Sequence, residues 1–352
     1  MRQLLVPSLA ALLVHLSSGA LAETKSYPNI SGAFTIEVQD DWTYESDDEA
    51  AEINDLYPTL TLETQFAFTP ELSVNLEATL EPVEDAADDR EFEDLGGYVN
   101  VLTVNYDTDR FSLYAGKFGA NFGTAWDAAP GLYGSDLTED YELAEMLGVG
   151  GSFNFQAAGN HTISASSFFL DTTFLSDSAF NSRGPVKESD GGVANTESLS
   201  SFAVALDGGF SSLEGLTYHL GFSSLKEGDD GDTSQLGYVV GAQYELPITE
   251  KITFIPIAEY AYLDDAGGIE GDSAQYFTAG GALEFGNWTL STTYQGRELE
   301  TSGSTQNDYV VDVTAGYSFD FGLGVAVGYR LAEEEDVDSR GLGALVEYTI
   351  EF

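Results

Sequence analysis

What most constrains this chain is a period-two alternation of apolar and polar residues that returns along nearly its whole length. Phe34, Ile36 and Val38 begin it; Leu72, Val74, Leu76, Ala78 and Leu80 repeat it, as do Tyr238, Val240, Ala242 and Tyr244, and Tyr309, Val311, Val313, Ala315 and Tyr317. Side chains two apart share one face of a strand, so each run is a ribbon with an apolar and a polar side. Weaker runs lie at 110–118, 142–155, 161–170, 252–262 and 274–285, and with the final "GALVEYTIEF" the alternation predicts 16 strands. The connections alternate too. Seven are short and rich in turn residues, such as "TPE", "DTD", "GN" and "DFG", and eight are long, near 45–55, 81–96, 119–141, 171–198, 223–234, 263–273, 297–307 and 332–340. An antiparallel meander with every long connection at one end follows, and closing it into a barrel leaves no unpaired edge.

An open sandwich has no reason to collect its long loops at one end, whereas an outer-membrane barrel has short periplasmic turns and long extracellular loops. The apolar faces would then meet lipid, and the Ser, Thr, Asn, Gln and Glu between them would line a wet lumen. Residues 1–22, "MRQLLVPSLAALLVHLSSGALA", carry Arg2, an apolar stretch and Ala20-Leu21-Ala22, the pattern of a removed signal peptide. The remainder, 23–352, reads as a single barrel domain, and none of it approaches the roughly 18 apolar residues of a membrane helix. There are no cysteines, so disulfides, thiolate metal sites and cysteine nucleophiles are all excluded. Sixty acidic residues against 12 basic ones give a formal charge of -48, which repels nucleic acid and anionic surfaces.

Strand number, loop alternation, the third long loop and the terminal aromatic together resemble the 16-stranded porins of Gram-negative bacteria, over essentially the whole of 23–352. The resemblance is one of layout rather than of a diagnostic motif. It implies an outer-membrane location with both termini periplasmic, a homotrimer packed through apolar outer faces, and contacts with outer-membrane lipid. It also implies that Val346, Tyr348, Ile350 and Phe352 form the signal read by the barrel-assembly machinery.

In that family the third long loop folds into the barrel and narrows it. Here the matching stretch is "ANFGTAWDAAPGLYGSDLTEDYELAEM", so the resemblance implies an acidic constriction drawn from Asp127, Asp136, Glu139, Asp140, Glu142 and Glu145. Carboxylates at a narrow, partly desolvated passage favour cations, because field lines focus between low-dielectric walls. Opposing bases on the wall are sought by strand parity: Arg330, alternate to Val327 and Tyr329, and Arg297, alternate to Trp288 and Tyr294, should point inward. Lys117 lies beside the third loop, but both parities of "FSLYAGKFG" are apolar, so lumenal and headgroup-level placements both stand.

The ladder of Lys and Arg needed by an anion channel is missing, and most aromatics occupy the outward parity, which argues against a sugar slide. The acidic loops match no spaced calcium-binding template, and no cofactor or metal is expected. The mature chain's two histidines, His161 and His219, have no partners patterned for catalysis, so an enzyme is not expected. The sequence therefore favours a water-filled, cation-preferring channel for small hydrophilic solutes. A substrate-specific channel or receptor (for a siderophore or small organic solute) and a plugged structural or adhesive barrel remain as alternatives.

Overall fold

The structure, a computed structural model, describes residues 26–352. The segment 1–22, read above as a signal peptide, lies outside the described residues. Sixteen antiparallel strands close into one barrel. They are β1 (Asn29–Ser46), β2 (Asn54–Ala67), β3 (Leu72–Pro82), β4 (Leu95–Asp107), β5 (Phe111–Ala120), β6 (Leu143–Gln156), β7 (Gly159–Leu170) and β8 (Ser201–Phe210) in the first half. The second half comprises β9 (Leu216–Leu225), β10 (Gln235–Tyr244), β11 (Ile252–Asp264), β12 (Ser273–Phe285), β13 (Trp288–Thr301), β14 (Ser304–Ser318), β15 (Leu323–Glu334) and β16 (Val337–Glu351). Three short pieces, Arg90–Glu91, Ala179–Phe180 and Leu246–Thr249, pair along their edges.

Each strand pairs with its sequence neighbours, and β1 also pairs with β16, from Ala33 opposite Glu351 to Ser46 opposite Ser339 with one shift of register between Thr43 and Glu45. Beyond that ladder Gly32 N–H donates to the Phe352 carbonyl at 2.9 Å and Phe352 N–H returns a bond at 3.0 Å. A Cβ on Gly32 would stand 2.1 Å from the Glu63 carbonyl oxygen and 3.0 Å from the Phe352 ring, so a larger residue there would force the β1–β2 backbones apart as well as crowd the terminal ring.

The alternation seen in the sequence is the alternation of the wall. Inward Thr35, Glu37, Gln39, Thr59, Thr278 and Gln295 are buried, whereas outward Val104, Leu113, Val240, Val313 and Val327 are exposed. At the short-turn end the outer face carries an aromatic series: Trp288 to Tyr317 at 4.9 Å, Tyr317 to Phe319 at 4.8 Å and Phe319 to Phe321 at 5.4 Å between ring centres. At the long-loop end Trp42 and Tyr44 stand 5.7 Å apart. Apolar bands with aromatic rims of this kind suit a barrel standing in lipid. Among the described residues no helix is long and apolar enough to cross a membrane.

Two of the long connections differ from expectation. The segments 297–307 and 332–340 are not open loops: β13 and β14 run out to a two-residue turn at Ser302 and Gly303 (φ +48° and +84°), and β15 and β16 meet at Glu335 and Asp336 (φ +54° and +64°). Positive φ at both central residues gives a turn whose twist matches the strands, so the ladder continues through polar sequence past the apolar band.

The wall also has a seam. β5 pairs with β4 only from Asp107 opposite Ser112 to Leu102 opposite Lys117, because β5 then leaves the ladder toward the third loop. The upper edge of β4 is instead completed by the fourth long loop, whose Ala179 and Phe180 pair with Gly97 and Gly96.

Candidate functional site

The third long loop, 121–142, lies inside the barrel, held at its root and along its length. At the root, Asn121 Nδ2 donates to Asp207 Oδ2 at 2.8 Å, and Gly123 N–H donates to His219 Nε2 at 3.0 Å. Glu259, 2 % exposed on β11, accepts from Thr124 N (2.9 Å), Thr124 Oγ1 (2.7 Å), Ala125 N (3.0 Å) and Tyr141 Oη (2.7 Å). One carboxylate thus satisfies the first free amides of the short helix Ala125–Ala128 and also ties down the loop's far end.

Further along, the loop runs against β13 and β14. Thr293 Oγ1 donates to Pro130 O at 2.6 Å, Leu132 N–H to Thr314 Oγ1 at 3.0 Å, Gln295 Nε2 to Tyr133 O at 2.7 Å and Leu137 N–H to Gln295 Oε1 at 2.8 Å. Gly131 (φ +118°) passes so close to the Asp312 carboxylate that any side chain there would collide with it. Leu132 and Leu137 pack onto inward Val310, Ala326, Ala332 and Leu345. Tyr133 Oη donates to Asp41 Oδ1 on β1 at 2.7 Å.

Both arginines expected on the wall meet acids of this loop. Arg297 donates to Asp140 Oδ2 at 2.6 Å and to Asp308 Oδ2 at 2.6 Å, and Arg330 donates to Asp136 Oδ2 at 2.7 Å and Glu334 Oε2 at 2.5 Å. Each cation is matched by two carboxylates, so these pairs fasten the loop and leave no net positive strip. Glu139 accepts from Ser135 Oγ at 3.1 Å within the loop. Lys117 is only 1 % exposed and sits in the seam. Its ammonium bonds to Glu145 Oε2 at 2.6 Å and to Leu175 O at 2.8 Å, and it lies 3.0 Å from Asp171 Oδ2. Its charge is therefore spent inside that cluster rather than offered to the lumen. Glu145 belongs to the same cluster, which Arg183 of the fourth loop joins at 2.6 Å while lying 4.1 Å above the Tyr98 ring.

The loop acids that remain on the lumenal side are Asp127 and Glu142. Asp127 is exposed to the lumen yet surrounded by protein, and burial raises its carboxyl above the usual range. Burial, and then the nearby carboxylates of Glu77, Asp127 and Glu145, push Glu142 up to about 7. Glu77 stands on β3, so acids from both the loop and the wall lie close together there.

Sequence reasoning missed the wall's anchoring residues Asp207, His219, Glu259, Gln295 and Asp312. For Asp207, Glu259 and Asp312 the signal was available: a lone acid at an inward position in mid-strand, as in "AVALDGGF", "IPIAEYAYL" and "YVVDVTAGY". In a lumen such a group needs a donor, and the loop's free amides supply it.

The barrel has solved counterparts. OmpF of Salmonella typhi, in complex with daunomycin, matches with a TM-score of 0.61 at 14% identity over 92% of this chain and 98% of that one. An OmpT loop-deletion mutant from Vibrio cholerae, described as an outer membrane protein, gives 0.60 at 11% over 92% and 100%. The outer membrane channel DcaP of Acinetobacter baumannii gives 0.58 at 12% over 94% and 100%. The barrel has the 16-stranded porin fold. No family model and no curated protein matches the sequence. At these identities the comparison carries the porin fold and not the role of any residue.

Proposed function

We propose that the protein is an outer-membrane channel for passive diffusion of ions and small hydrophilic solutes, with a preference for cations. The observation that carries this reading is the disposition of charge at the inserted loop. Arg297 and Arg330 are each neutralised by two carboxylates between loop and wall, while Asp127, Glu142 and Glu77 are left around the passage. An ion entering a narrow, partly desolvated opening feels those acids strongly, and only cations gain from them. Passage requires no covalent chemistry, so we read the protein as a non-enzyme.

In this reading the short turns and both termini face the periplasm, residues 1–22 are removed on export, and Val346, Tyr348, Ile350 and Phe352 serve as the assembly signal. The strand that carries them completes the barrel against β1, which gives an assembly factor reason to recognise it late in folding. A homotrimer is proposed from the exposed apolar outer face, in keeping with the in-vitro-folded OmpT of Vibrio cholerae, described in a trimer form. The deciding measurement is the reversal potential of the purified barrel in a planar bilayer across a KCl gradient. A potential of the sign set by cations is expected, and one set by anions would overturn the assignment.

A further inference from the structure

We propose that His219 is a positioning residue for the inserted loop: its neutral imidazole holds the loop's root, and protonation releases it. This rests on the channel reading above only for its electrical readout. The geometry is a chain of three hydrogen bonds. Gly123 N–H donates to Nε2 at 3.0 Å, so that nitrogen carries a lone pair and no proton. Nδ1 lies 2.7 Å from Asp207 Oδ1 and must then be the protonated nitrogen, donating to the carboxylate. Asp207 in turn accepts from Asn121 Nδ2 at 2.8 Å, so one wall acid fixes both the imidazole tautomer and the residue two before Gly123.

His219 is 3 % exposed. The groups around it are Asp207 from β8, Glu259 from β11, Asn121 and Phe122 from the loop and Gly241 from β10, with no basic residue among them. A proton on Nε2 turns the acceptor into a donor facing the Gly123 N–H. Two donors cannot share that space, and the adjacent acceptor is Glu259, whose oxygens already hold Thr124, Ala125 and Tyr141. The imidazolium therefore both loses Gly123 and competes for the clasp next to it. The root then moves off the wall toward the lumen.

The test is single-channel recording of the full-length barrel in about 1 M KCl, where surface charge is screened and conductance reports geometry rather than selectivity. Between about pH 8 and about pH 5, the range in which imidazoles change charge, the wild type should show a reversible loss of open-channel conductance. In H219Q the side-chain carbonyl still accepts from Gly123 but takes up no proton, so conductance should not change with pH. D207N removes the carboxylate that fixes the imidazole tautomer and should alter the wild-type pH profile. E142Q should keep the loss, which separates the root from titration at the passage.

As a second readout, Trp126 Nε1 donates to Gly123 O at 3.1 Å, so in a background with Trp42→Phe and Trp288→Phe its fluorescence should follow the same transition in detergent and lose it in H219Q. An H219Q channel that keeps the wild-type pH profile, or a wild type without one, overturns the proposal. A barrel that conducts nothing but whose Trp126 signal responds to H219Q and D207N as stated would sink the channel reading and leave this one standing.

Discussion

Glu142 gives the passage a charge that depends on pH in the neutral range. A carboxyl pushed up to about 7 is neutral in acid and charged in base, so cation preference should grow as pH rises through that value. Reversal potentials at a series of pH values should show this, and E142Q should flatten the curve and lower the cation-to-anion permeability ratio at alkaline pH. Glu259 is the opposite kind of acid, spent wholly on holding the loop. Glu259→Gln keeps the shape but turns one oxygen into a donor aimed at backbone amides, and should loosen the loop root by about 1–3 kcal/mol, seen as faster Trp126 quenching by acrylamide once Trp42 and Trp288 are replaced by Phe. Of these residues, the sequence placed Asp127, Glu142, Arg297 and Arg330 near the lumen, because loop position and strand parity are both local properties. It did not show that Asp136 and Asp140 meet the arginines, or that Lys117 turns into a seam, since pairings across the barrel depend on the path the loop takes.

At the scale of elements, the strand ladder was legible because one face must meet an apolar surroundings and the other a polar interior, and that demand is written every second residue. Where the pattern weakened, near 110–118 and 142–155, the structure supplies the cause. Phe118, Met146 and Phe168 are inward-facing but apolar, because they pack in a core shared with Phe122 and Tyr141 of the inserted loop. Apolar residues on both faces of a strand thus mark where loop and wall touch. The closing pair β1 and β16 sets Glu37 directly opposite Glu347, both at least nine-tenths buried. Two carboxyls in direct cross-strand register oppose pairing once both are ionised, so at alkaline pH E37Q should stabilise the closed barrel by about 1 kcal/mol and raise its unfolding temperature on a heat-modifiability gel. The seam predicts the reverse. Lys117→Met strips the cation from Asp171, itself 1 % exposed, leaves Glu145 with Arg183 alone, and should destabilise the barrel by about 3–5 kcal/mol in the same assay.

For the whole molecule the dominant quantity is the formal charge of -48. Self-repulsion on that scale opposes compaction and is screened over a distance that shrinks as salt rises. Refolding into detergent should therefore be more complete at about 0.5 M salt than at about 0.01 M, as read from the folded band on an unheated gel; equal yields would mean the charges are too dispersed to matter. The seam beside β4 has a consequence for anyone who rebuilds such a barrel. The third loop enters the lumen through a place where β5 abandons its partner, and the fourth loop mends the wall there with Ala179 and Phe180. The two loops are one transplantable part. Exchanging the third alone between barrels would leave a slit open to the surrounding lipid, and a working chimera has to inherit both.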